Sequence, residues 1–340
     1  MWRVIIWLLL LATLAGAALV YAVFLMPNTT NRKSVVIRIP TGARFEYVLH
    51  ELRKHGVLRS EQTFEWVARY KNYPAYIKPG QYQISPRTNN RKLVNMLKGG
   101  LQLPVKLVIN NIRTKEEFAG LIGHTLELDS ATVMLHLNDT AFCNSYQRTT
   151  ENILGFFMAD TYEFYWDRKH TDMQKIMDVM QEVNRQFWNE ERRSKAANIN
   201  LTPSEVVILA SIVEKEVFHD SEMPTIAGVY LNRLKIGMLL QADPTLKFAT
   251  RDLDARRVTN RHRNYDSPYN TYLYPGLPPG PICIPRKNAI DAVLNAQQHN
   301  YLYFCANPDM SGYSVFSENY EQHKKVAAMY QKKLNAMNIY

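Results

Sequence analysis

The chain has 340 residues, 46% of them hydrophobic and 21% charged, which leaves room for more than one domain and excludes extensive disorder. A net charge of +10 favours an anionic partner such as nucleic acid, lipid headgroups or a cell-wall polymer, and the scatter of the basic residues argues against nucleic acid. The three cysteines (Cys143, Cys283, Cys305) show neither CxxC pairing nor a histidine at zinc-finger spacing, so no metal site is expected and Cys283 and Cys305 are read as reduced.

No charged residue occurs from Val4 to Met26, and Leu, Ile, Val and Ala dominate there. Crossing a hydrocarbon core takes about 20 apolar residues, so 4–26 reads as an uncleaved membrane anchor, longer than a signal-peptide core. Arg3 on one side and Arg32 and Lys33 on the other leave the positive-inside rule nearly silent. Residues 27–34 are polar and read as a tether. Val35–Ile39 then has the β-branched run of a buried strand. Phe45, Val48, Leu49 and Leu52 fall at helical spacing before Gly56, and Phe64, Val67, Ala68 and Tyr70 mark a second helix. A turn at Lys78-Pro79-Gly80 leads into Tyr82 and Ile84, and Arg91–Leu97 gives a short helix closed by Gly99-Gly100. Residues 35–101 are therefore a small α+β module.

Beyond it, Leu103–Ile109 predicts a strand, Thr114–Leu137 one helix and Met173–Trp188 another. Gly155–Trp166 is crowded with aromatics, which serve either as core or as sugar-stacking surfaces. Thr202-Pro203-Ser204-Glu205 carries the pattern of a capping box with proline at the first helical position. The helix it starts runs through Val206, Leu209 and Val213 to Glu214-Lys215-Glu216. Two residues turn a helix by about 200°, so the two glutamates lie on opposite flanks. A carboxyl beside an apolar stripe is partly desolvated and stays protonated at higher pH, as a glycosidic acid must; spacing alone leaves both glutamates open. A final helix is predicted from Glu318 to about Met337.

Ala210-Ser211-Ile212-Val213-Glu214-Lys215-Glu216, Asn232-Arg233-Leu234 with Gly237-Met238, Leu240-Gln241-Ala242-Asp243-Pro244-Thr245, Tyr269-Asn270-Thr271-Tyr272 and Gly276-Leu277-Pro278-Pro279-Gly280 follow one another in the order and spacing of the MltG/YceG-like endolytic murein transglycosylases. The resemblance is strong over about 200–330 and weaker over 35–165, where Lys78-Pro79-Gly80-Gln81-Tyr82 resembles a turn of that family's LysM-like subdomain.

The resemblance implies an α+β protein with residues 1–3 cytoplasmic, a transmembrane helix at 4–26, a tether at 27–34, a LysM-like subdomain at 35–101 and a catalytic domain at 102–340. That domain would lie on the periplasmic or extracytoplasmic side of the cytoplasmic (inner) membrane. The implied enzyme is a lytic transglycosylase cutting the MurNAc-β-1,4-GlcNAc bond inside peptidoglycan strands to leave 1,6-anhydroMurNAc ends, without cofactor or metal. Glu216 matches the family's catalytic acid. Gln241, Asp243, Asn270 and Tyr272, with Asn232, Glu214, Asp160 and Tyr162, are the expected substrate-binding set. Peptidoglycan strands, the membrane and wall-synthesis proteins are the expected partners. The alternatives are a non-catalytic, anchored wall-binding scaffold and a muramidase-type hydrolase using Asp243 or Asp160 as the second carboxyl. The chain departs from the family at Leu154-Gly155, Ala159-Asp160 and Asn110-Asn111, none of which touches Glu216.

Overall fold

A computed structural model describes residues 2–255 and 257–336, which are mostly helical with small two-stranded sheets, a mixed α+β architecture. They divide into two units: residues up to 107 with 121–129 and 162–175, and residues 108–120, 130–161 and 176 onward.

The first unit begins with α1 (Trp2–Phe24), which among the described residues is the single unbent helix long and apolar enough to cross a membrane; it has the character of a membrane span or a signal sequence. Its side chains are exposed until Val23, which joins the core of the small module. There β1 (Val35–Ile39) is followed by α2 (Phe45–Lys54), α3 (Glu61–Tyr70), β2 (Gly80–Ile84) and α4 (Asn90–Gly99). β1 pairs antiparallel with β2, from Val35 opposite Ile84 to Ile39 opposite Gly80. The register sends Ile37, Ile39, Tyr82 and Ile84 into a core shared with Val48, Leu52, Phe64, Val67, Leu93 and Leu97. The polar segment after α1 is stitched to this module along its first half. The Asn28 side chain donates to Ser60 O at 2.8 Å and Asn90 Oδ1 at 2.7 Å and accepts from Ser60 N, and both Asn28 and Thr29 are buried.

The chain runs on through β3 (Val105–Ile109) and α5 (Lys115–Thr125) to α6 (Ser130–Asn138). The single helix expected over 114–137 is thus two. The break serves Glu127, whose carboxylate accepts from Thr41 N at 2.6 Å, Thr41 Oγ1 at 2.7 Å and Arg168 N at 2.8 Å, contacts a continuous helix could not reach. After α7 (Thr140–Ser145) and β4 (Asp160–Phe164), Phe156, Phe157, Tyr162 and Phe164 are buried, so this part of the aromatic run is core.

The second unit is built around one helix. α8 (Met173–Phe187) and α9 (Glu190–Asn198) lead to α10 (Pro203–Glu216), in which every side chain from Val206 to Val213 is buried. A one-sided apolar stripe was expected, whereas α10 is enclosed on all sides because α11 (Met223–Lys235), α12 (Asp243–Ala249) and, past the short α13 (Asn260–Arg263), α14 (Lys287–Leu294) all pack against it. A hairpin of β5 (Tyr303–Ala306) and β6 (Ser314–Ser317), paired antiparallel with Phe304 opposite Phe316, precedes α15 (Tyr320–Ala336). The expected end of this last helix at Met337 lies outside the described residues. All three cysteines are free; Cys143 and Cys283 are buried and Cys305 is half-buried.

Candidate active site

α10 starts as its sequence dictates. Thr202 Oγ1 accepts from Glu205 N, the Glu205 carboxylate accepts from Thr202 N, and Pro203 occupies the first turn. The helix ends at Glu216 because Val217 turns to extended backbone (φ −85°, ψ 144°). The two glutamates at this end have different fates. Glu214 accepts from Arg286 N at 2.6 Å and lies 3.3 Å from the Arg286 guanidinium, so it staples the segment before α14. Glu216 faces a cavity of about 540 Å³ whose wall also includes Arg233, Gln241, Asp243, Tyr272 and, from the hairpin side, Phe218, Tyr303 and His323.

Tyr230 on α11, fully buried, donates its phenol to Glu216 Oε1 at 2.8 Å. Among the described residues the other carboxyl oxygen has no such donor, and it can carry the proton. Burial pushes the Glu216 carboxyl up to about 7; the Tyr230 hydrogen bond opposes this, the Asp243 charge adds to it, and Arg233 and Lys247 pull it down. The end of the α10 dipole, negative at its C-terminus, disfavours the carboxylate further. Glu216 is thus poised to give and take a proton near neutrality. Burial, followed by the Glu216 charge, pushes the Tyr230 phenol well above its ordinary range, so it remains a donor.

Across the cavity Tyr272 donates to Asp243 Oδ1 at 2.6 Å. The two segments that carry them are locked together: Gln241 N donates to Thr271 O and Ala242 N to Thr271 Oγ1, both at 3.0 Å, and Thr245 Oγ1 lies 2.8 Å from Thr271 Oγ1. Asn270 is completely buried; it donates to Arg263 O and Tyr265 O and accepts from Tyr272 N at 2.9 Å, so it fixes Tyr272 without reaching the cavity. Asn232 likewise spans from α11 to His299 O and Tyr301 O. Arg233, 6% exposed, donates to Leu302 O at 2.7 Å and to Leu240 O, tying the hairpin and the Gln241 segment to α11 while presenting positive charge to the cavity. Gly237, with φ +67°, makes the turn between α11 and this segment, in a conformation that strains any other residue. Gln241 adopts φ +49° despite having a side chain, a strained backbone at the cavity wall.

Of the residues singled out in the sequence, Glu216, Gln241, Asp243 and Tyr272 share the cavity, while Asn232, Asn270 and Glu214 brace its walls. Asp160 pairs with Lys287 outside this wall, and Tyr162 is buried in the first unit. Sequence reasoning missed Tyr230, Arg233 and the hairpin residues; the only signal was that Tyr230 and Arg233 lie within the apolar run ending in Asn232-Arg233-Leu234.

Two curated relatives are named endolytic murein transglycosylase. The one from Bacillus subtilis (strain 168) is 26% identical over 332 residues, covering 93% of this chain and 90% of its own. The one from Streptococcus pneumoniae (strain R6) is 27% identical over 346 residues, covering 92% of this chain, which spans only 61% of that longer protein. The crystal structure of a YceG-like protein from Listeria monocytogenes superposes with a TM-score of 0.58 at 28% identity, over 87% of this chain and 99% of that one. The sequence model of the YceG-like family matches residues 37–329, and the chain belongs to that family.

Proposed function

We propose that the protein is an endolytic lytic transglycosylase that cuts the MurNAc-β-1,4-GlcNAc bond within peptidoglycan strands. The observation that carries the reading is Glu216, a carboxyl pushed up to about 7, held by Tyr230 and facing an open cavity. Protonated Glu216 gives its proton to the glycosidic oxygen as the C1–O bond breaks, and positive charge develops at C1 of the muramoyl sugar. The Glu216 carboxylate then accepts the proton of the C6 hydroxyl while O6 bonds to C1. The acid is regenerated, no water is consumed and the new end is a 1,6-anhydro sugar. Asp243, oriented by Tyr272, supplies negative charge facing the developing cation. Gln241 and the Arg233 guanidinium offer donors to sugar hydroxyls and N-acetyl groups, and Phe218, 80% exposed at the rim, offers a stacking face. The names of the relatives support peptidoglycan as substrate, and α1 supports attachment to the membrane beside it. In this reading the module at 35–101 is a LysM-like glycan-binding unit, and all that follows α1 lies outside the cytoplasmic membrane.

A second reading, a muramidase-type hydrolase, draws on the presence of Asp243 in the same cavity, since two carboxyls across the bond activate water. Mass spectrometry of uncrosslinked glycan strands treated with the protein separates the two. Internal cuts with 1,6-anhydro ends, absent with Glu216→Gln, are expected. Reducing ends would make the protein a hydrolase, and strands left intact by both proteins would remove the enzyme reading.

A further inference from the structure

The small module carries exposed aromatic residues that its own fold does not use. On α3, Trp66 is 52% exposed and Tyr70 79% exposed, and a spacing of four residues puts them on one face of the helix. The Tyr70 ring meets Phe24, the last residue of α1, edge-on at 5.4 Å. At the other end of α3, Ser60 is bonded through both its N–H and its carbonyl to Asn28. α3 therefore lies alongside residues 24–28 and runs back toward the apolar helix, with Tyr70 at the level of Phe24. Twenty-three helical residues rise about 34 Å against a hydrocarbon core of about 30 Å, so this level is the bilayer boundary. Tyr and Trp favour that depth, where a ring can sit in the headgroup layer with its polar edge in water.

A second, independent feature lies at the same level. The start of α4 is held against the end of α1, with Asn90 Nδ2 donating to Val23 O at 2.8 Å and Asn89 Nδ2 to Leu25 O at 3.2 Å. The next two residues are Arg91 and Lys92. Arg87 precedes Thr88, whose carbonyl accepts from Asn28 N and Thr29 N, and Arg59 N donates to Asn28 O. All four cations are exposed, and among the described residues none has an ion-pair partner. The α3 acids Glu61 and Glu65 are instead taken by Arg53 and Arg69.

We propose that the Trp66–Tyr70 face of α3 and the cations Arg59, Arg87, Arg91 and Lys92 form a second membrane contact, resting on the anionic surface of the bilayer that α1 crosses. The proposal rests on reading α1 as a retained span. The occupant is lipid because the face continues from that span, and the cations match anionic headgroups. The contact fixes the small module against the membrane, so the chain leaves the bilayer through a docked joint and not through a swivel.

The test uses the full chain labelled with 5-fluorotryptophan in lipid nanodiscs, with the Trp66 fluorine signal assigned by its loss in Trp66→Phe. Lipids spin-labelled near the headgroup or along the acyl chain broaden fluorines close to them. Trp7 within α1 reports the span, and Trp188, 4% exposed in the second unit's core, is the internal reference. The expected result is loss of the Trp7 and Trp66 signals with Trp188 retained, the Trp66 loss being greater in discs containing phosphatidylglycerol than in pure phosphatidylcholine. Loss of Trp7 with Trp66 sharp would overturn the proposal while leaving the span intact. Retention of both would remove the span and the proposal with it. Equal loss of Trp66 in both kinds of disc would overturn the role given to the four cations.

Discussion

Replacing Tyr230 by Phe removes a single oxygen and tests how the acid is set. The phenol donates to Glu216 Oε1 at 2.8 Å. A hydrogen bond to a charged acceptor is worth about 1.5–3 kcal/mol and one to a neutral acceptor about 1 kcal/mol, so the bond favours the carboxylate by roughly 1–2 kcal/mol. At 1.36 kcal/mol per unit, its loss raises the Glu216 pKa by about one unit. The other groups facing this carboxyl, Asp243 raising and Arg233 and Lys247 lowering, are unchanged in the variant. The proposed mechanism needs Glu216 protonated in the free enzyme, so the alkaline limb of kcat/KM, expected near pH 7 in the native protein, moves to about pH 8. The plateau falls, by about tenfold to a hundredfold, because the acid loses a positional restraint. The ratio of variant to native rate therefore climbs with pH above 7. Measuring glycan cleavage from pH 5 to 9 for both proteins checks this. A limb that stays put or moves to lower pH would refute the assignment of the proton to Glu216 under Tyr230's control.

Other substitutions separate chemistry from scaffold. Between pH 4.5 and about 7 the folded protein holds the Glu216 proton more tightly than the unfolded chain, so stability is greatest below this window and declines as pH rises through 7, by up to about 3 kcal/mol. Glu216→Gln should raise the melting temperature more at pH 8 than at pH 5, whereas Glu214→Gln, which breaks the Arg286 staple, should lower it at both; equal shifts for Glu216→Gln at the two pH values would contradict the buried acid. Gln241→Gly relieves the φ of +49° and should stabilise the protein by about 1 kcal/mol in denaturant titration while weakening glycan turnover. A loss of stability there would mean that the side chain braces the loop.

Local rules made much of this fold legible. The capping box at Thr202, the helical spacing of Phe64, Val67 and Ala68, and the strand at Val35–Ile39 are all where nearest-neighbour chemistry puts them. The break in the 114–137 helix was not legible, because it answers to Glu127 binding a turn more than eighty residues earlier. The two glutamates of α10 were separable by rotation but not by role. What distinguishes them is their partners, Arg286 just before α14 for one and Tyr230 on α11 for the other, which only the tertiary fold brings near. Asn270 and Asn232 are named by the family resemblance, and the fold adds that Asn270, fully buried, and Asn232, half-buried, donate to backbone carbonyls of neighbouring loops, partners that no sequence pattern reveals.

The enclosure of α10 has a consequence for how the protein can fail. Each residue advances a helix by about 100° and 1.5 Å, so deleting one residue between Val206 and Val213 would swing Glu216 out of its cavity and at the same time misalign the buried α10 side chains on one side of the deletion. Nor can the acid be loosened by fraying along most of its own helix without exposing that core. Activity and cohesion are thus a single cooperative property here: in rising urea, cleavage should vanish with global unfolding and not ahead of it.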